Sequence, residues 1–150
     1  MSKPDFVYVT YIASSPKKVW SALLDGEMTK QYWDHFNVSD WKVGSRWEHQ
    51  RCGSRKVDIA GTVIECSPPH RLVLTWALPQ EIEDATKVSR VTFEIEPYET
   101  NMVRLTVVHD ELEPDSEMGR GISQGWPMVL SGLKTILETG TALPMFPKHS

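Results

Sequence analysis

Cysteine is scarce in this sequence: Cys52 and Cys66 are the only two among 150 residues. Two thiols do not build the disulfide framework of a small secreted domain, and both are expected to be free. Basic residues are also outnumbered, 16 Lys and Arg against 20 Asp and Glu, for a net charge of −4. A phosphate backbone calls for a basic patch or stripe, so nucleic acid is not an expected partner. No stretch approaches the roughly 18 apolar residues of a membrane span. The opening Met-Ser-Lys-Pro-Asp lacks the apolar core of a signal peptide, which makes the cytoplasm the expected location. Missing too are a G-x-S-x-G elbow, a P-loop and a G-x-G-x-x-G fingerprint, so the standard hydrolase, NTPase and dehydrogenase chemistries have no motif to rest on. Gly119-Arg120-Gly121 is too short to cradle a phosphate.

What the chain has in excess is tryptophan. Trp20, Trp33, Trp41, Trp47, Trp76 and Trp126 each bring a large flat apolar body and one N–H that needs a partner when buried. Such residues suit a lined pocket, and they also serve plain cores.

Phe6 to Ile12 is dense in β-branched and aromatic residues and is expected to be a strand. Ser14-Ser15-Pro16 supplies a cap and a first-turn proline, and Val19, Trp20, Leu23 and Leu24 then repeat at helical spacing up to Asp25-Gly26. Thr29 to Trp33 is expected to add a second short helical segment, with Met28, Tyr32 and Trp33 on its apolar side. From Val38 to His109 the pattern is β throughout. Ser45 to Arg51, Lys56 to Cys66, Arg71 to Trp76, Ser89 to Glu96 and Met102 to His109 are separated by Gly53, Pro68-Pro69, Pro79 and Pro97. Short connections between consecutive strands predict an antiparallel meander. In the last strand Val103, Leu105, Val107 and His109 share one face.

Beyond Pro114 the period changes. Asp115 or Ser116 is a cap, and Met118, Ile122, Trp126, Val129, Leu130, Leu133, Ile136 and Leu137 form one apolar helical stripe that stops at Thr139-Gly140. Gly119, Gly121, Gly125 and Pro127 predict a first half that is bent, loose or closely apposed to a neighbour. The fold class is therefore α+β: a curved antiparallel sheet of six or seven strands around a long C-terminal helix, with two short helices after the first strand. Residues 1–140 form one domain and 141–150 a tail.

The runs SSPKKVWSALLD, QYW, DWKVGSRW, GTVIECSPPHRLVLTW, SRVTFEIEP, VRLTVVHD and GWPMVLSGLKTILETG cover most of residues 6 to 140. They resemble bacterial members of the family named after the activator of the ninety-kilodalton heat-shock-protein ATPase, within the SRPBCC or START-like superfamily. That resemblance implies the helix-grip fold of START-type lipid carriers and birch-pollen-allergen-like proteins. It implies several functions, because the eukaryotic namesake stimulates a chaperone while wider relatives bind lipids, polyketides or hormones, or act as cyclases. One fold hosts many functions.

A curved sheet and a single helix leave a gap that a small hydrophobic or aromatic molecule can fill. Trp33, Trp47, His49, Trp76, His109, Trp126 and Leu130 are the residues expected to line it; as the alternative, the same side chains simply form core. His49 and His109 suit general-base chemistry at neutral pH, provided an oriented partner exists. His49 and Cys52, with Cys66 as a third donor, match no recognised metal spacing, so neither metal nor cofactor is expected. Lys17, Lys18, Arg51, Arg55 and Lys56 form either a surface for an acidic partner such as a chaperone or ordinary solvated charge. A non-catalytic carrier or sensor is the first expectation, a chaperone cofactor the second, and a cyclase- or hydrolase-type enzyme the third.

Overall fold

In the first strand, β1 (Phe6–Ile12), alternation sends Ile12 into the core and leaves Val7, Val9 and Tyr11 exposed, as a half-buried strand requires. The computed structural model describes residues 6–144. Helix α1 (Pro16–Leu24) opens on Ser15, whose side chain accepts from the Lys18 N–H, with Pro16 where its missing N–H costs nothing. Asp25 closes α1 and also caps α2 (Gly26–Trp33) by accepting from the Glu27 N–H. The second helix thus starts at once, three residues earlier than helical spacing alone suggested. Asp34 ends it in the left-handed conformation, φ 60°. The buried Tyr32 hydroxyl donates to the Ala22 carbonyl at 2.6 Å and locks α2 onto α1.

Six more strands follow: β2 (His35–Val38), β3 (Arg46–Arg51), β4 (Val57–Ser67), β5 (Arg71–Trp76), β6 (Ser89–Tyr98) and β7 (Met102–Asp110). The sequence pattern missed β2, whose His-Phe-Asn-Val has no clean alternation. All neighbours pair antiparallel in the order β1-β7-β6-β5-β4-β3-β2, so the meander runs unbroken from β2 to β7 and β1 returns beside β7. Register shifts between His49 and Gln50 and between Val63 and Glu65 bend β3 and β4.

Helix α3 (Glu117–Thr139) lies in the concave face of the curled sheet. Ser116 caps its start by accepting from the Gly119 N–H, and Gly140 ends it at φ 80°. Ile122, Trp126, Val129, Leu130, Leu133 and Ile136 face inward, opposite Val103, Leu105 and Val107 of β7 and Val91, Phe93 and Ile95 of β6. The helix runs through Pro127 without interruption; Ser123, whose carbonyl loses its donor there, lies on the solvent side. At its far end Lys134 donates to the Tyr11 carbonyl and Glu138 accepts from the Ala13 N–H, which occupies the free edge of β1. Residues 145–150, most of the expected tail, lie outside the described residues.

Candidate functional site

Five elements send aromatic rings to one place. Trp47 and His49 alternate inward from β3, Trp76 ends β5, His109 is the last but one residue of β7, Trp33 ends α2 and Trp126 sits mid-stripe on α3. Ring centroids stand 5.4 Å apart for Trp33 and Trp126, 5.5 Å for Trp76 and Trp126, and 5.6 Å for Trp47 and Trp76. His49 meets Trp33 edge-on at 4.7 Å, and His109 meets Trp76 edge-on at 5.4 Å. Six of the seven residues singled out in the sequence therefore form one continuous cluster. Leu130, one turn further along α3, is buried in the apolar core beside it. All seven are buried, Trp33 being the most exposed at 8%.

The indoles of Trp47, Trp76 and Trp126 and both imidazoles are wired to partners. The Trp47 N–H donates to the Thr75 carbonyl at 2.8 Å, where β5 approaches β4 at Gly61 so closely that a Cβ there would land on the Thr75 oxygen. The Trp126 N–H donates to His109 Nδ1 at 3.1 Å. Nδ1 is thus the acceptor, so Nε2 carries the proton and donates to Ser89 Oγ at 2.7 Å, and Ser89 donates onward to the Trp76 carbonyl at 3.1 Å. Burial lowers the His109 pKa to about 4, the neighbouring Asp110 charge opposing only in part. Both ring nitrogens are committed, and the neutral ring is a structural link between sheet and helix.

His49 donates from Nδ1 to Asn37 Oδ1 at 2.6 Å, and Asn37 is oriented by donating its amide to the Leu23 carbonyl. Burial holds the His49 pKa well below its usual value; His35 lowers it further and Asp58 pulls the other way. The His35 ring stacks on His49 at 4.1 Å between centroids. It contacts the Trp33 carbonyl at 3.0 Å and Asp58 Oδ2 at 2.8 Å, both acceptors, so only a ring with N–H on both nitrogens can donate to both. Arg51 grips the same Asp58 through two hydrogen bonds. Burial raises the Asp58 pKa, but the Arg51 and His35 hydrogen bonds outweigh it and hold the carboxyl below the usual range. The carboxylate that an acid–base pair would need is therefore on His35, and neither His49 nor His109 has one as its hydrogen-bond partner. His35, Asn37 and Asp58 were not legible in the sequence, since β2 and β4 meet through β3 and no local spacing links positions 35 and 58.

Open volume adjoins this cluster. A cleft of about 590 Å³ lies between β4, the β5–β6 connection and the start of α3. Ile59, Leu78, Leu112, Met118 and Ile122 supply its apolar lining, and buried Ser89 brings it to the His109 link. A smaller cleft of about 130 Å³ lies over Trp33, Trp76 and Trp126, and Gly121 and Ile122 border both. Cβ atoms at Gly121 and Gly125 would meet nothing within 4 Å, so these glycines leave the helix face open above the indoles. The Trp76 N–H reaches this region and finds only the Met118 thioether, a weak acceptor, at 3.3 Å.

Cys52 and Cys66 are free thiols, and among the described residues no three His, Cys, Asp or Glu side chains gather as a metal would need. Of the basic residues, Arg51 is held by Asp58, while Arg55 bonds Gln50 and stacks over Phe36 at 4.0 Å. Among the described residues no helix is long and apolar enough to cross a membrane.

Known structures share the fold. A Mesorhizobium loti protein is 25% identical, with a TM-score of 0.75 over 89% of this chain and 96% of that one. The Aha1 dimer of Colwellia psychrerythraea is 20% identical, with a TM-score of 0.76 over 91% and 98%. An HSP90 activator from Plasmodium falciparum is 21% identical, with a TM-score of 0.72 over 89% and 95%. No functionally curated protein matches the chain. The family model described as activator of Hsp90 ATPase homolog 1-like protein matches residues 13–138. With that span matched and the curled sheet gripping one helix, the chain belongs to the family of activator of Hsp90 ATPase homolog 1-like proteins and has the helix-grip fold.

Proposed function

We propose that this protein is a carrier or sensor for a small hydrophobic or aromatic molecule, bound where α3 starts over the open end of the sheet. The observation that carries this is the cleft of about 590 Å³ with its apolar lining. Its volume is in the range of small-molecule sites, roughly 300 to 1,000 Å³. The tryptophan cluster adjoins it through the smaller cleft, which shares Gly121 and Ile122 with the larger one and offers Trp33, Trp76 and Trp126 to an occupant, while Trp47, His49, His109 and Leu130 are buried in the core beside them. Binding is favoured over catalysis because both nitrogens of His109 are engaged by Trp126 and Ser89. Titration with the neutral fluorophore N-phenyl-1-naphthylamine tests it. The wild type should bind one equivalent and Gly121→Leu, which projects a side chain into both clefts, should lose that binding while unfolding cooperatively. Absence of binding by the wild type, or equal binding by the variant, removes the proposal.

The family description favours a second role, as a chaperone cofactor. It is separable, because stimulation of a ninety-kilodalton chaperone's ATPase by the wild type and by Gly121→Leu alike would place the activity on a surface independent of the cleft. No stimulation by either would remove the role.

A further inference from the structure

The cleft beside α3 has charge of one sign around its apolar floor. Asp58, Glu81, Glu113 and Glu117 line it, against the single cation Lys87. Most of these charges are matched: Asp58 by Arg51 and His35, and Glu113 by Lys87 at 3.7 Å. The Glu81 and Glu117 carboxylates have no hydrogen-bond or ion-pair partner among the described residues. The positive end of the α3 dipole, which would otherwise draw an anion, is already met by the Ser116 cap and by Glu117 itself.

We infer that the occupant is an amphipathic amine, its apolar body on the floor around Ile122 and its ammonium held by Glu81 and Glu117. This rests on the reading of the cleft as a ligand site and adds the sign of the ligand's charge. Charge complementarity decides between head groups. An anionic head would bring a like charge to a lining that carries four carboxylates, and a neutral head would leave two of them unmatched.

Decylamine, decanol and decanoate share one hydrocarbon body and differ in head group. Below their aggregation concentrations, calorimetric titration should give decylamine about tenfold tighter binding than decanol, with decanoate weakest, and a margin that narrows in high salt. Glu81→Gln combined with Glu117→Gln should bring decylamine to the level of decanol while leaving decanol unchanged; among the described residues neither carboxylate has a hydrogen-bond or ion-pair partner to lose, and the Ser116 cap still holds the start of α3. Decanol or decanoate binding as tightly as decylamine, or an amine preference untouched by the double variant, overturns the inference and leaves the cleft standing as an apolar site. Failure of all three to bind overturns both.

Discussion

Trp126 donates its indole N–H to Nδ1 of His109 across 3.1 Å, and that single contact settles the tautomer and charge of a histidine inside the core. A proton on Nδ1 would face another N–H, so the ring is neutral and its Nε2–H is spent on Ser89. The histidine near the end of β7 therefore ties helix to sheet.

Acid should loosen this protein before its carboxylates titrate. Both buried histidines have folded pKa values below that of an unfolded histidine, about 6.5, His109 at about 4 and His49 well below its usual value. A depressed folded pKa means the unfolded chain takes up protons the folded chain refuses. The stabilisation is complete above about pH 6.5 and is lost as pH falls toward 4. The His109 shift alone corresponds to about 3 kcal/mol. Urea midpoints measured from pH 7 to 4.5 should fall steadily over that window, with Asp58 adding its own loss only at lower pH. A flat profile would contradict the neutral assignment.

Trp126→Phe keeps a ring in place and removes the donor. The buried Nδ1 is then without its partner, a loss of about 1 to 3 kcal/mol in urea denaturation at unchanged m-value. Freed of the opposing N–H, His109 should also titrate at higher pH when followed by NMR. Loss of stability without that shift would mean only packing was disturbed.

Gly61→Ala should be among the most damaging single-methyl changes in the chain. The new Cβ would collide with the backbone carbonyl of Thr75, an atom with no freedom to yield, and that carbonyl is the acceptor for Trp47. A destabilisation of about 3 kcal/mol or more is expected, with a change in near-ultraviolet circular dichroism from the displaced indole.

Gly125→Ala should act in the opposite direction. The position is helical and open, with no atom within 4 Å of the added methyl, so the gain in helix propensity of about 1 kcal/mol is unopposed. A rise in melting temperature together with weaker binding of apolar probes is the expected outcome. Unchanged binding would argue that the smaller cleft plays no part in the site.

How much was legible in advance depends on whether the cause was local. Ser15 with Pro16, Ser116 and Gly140 mark helix ends because capping is settled within a few residues, and Val103, Leu105, Val107 and His109 face one way because a strand alternates. Those signals, read in order, specify a meander and a final amphipathic helix, and the resemblance carried by the longer runs added the helix-grip architecture. The strand His35–Val38 escaped notice because its side chains follow no simple alternation and its place is set by pairing with β3. The residue types of the aromatic cluster were visible as well. What no spacing contained was their mutual arrangement: that Trp126 would meet His109 and Asp58 would meet His35 rather than His49. Nor did any spacing place the open volume beside the indoles, where Ile59 and Ile122 converge from distant parts of the chain. Alternation and helical period assign a side chain to a face. Only the curl of the whole sheet around α3 decides which faces touch and where they part.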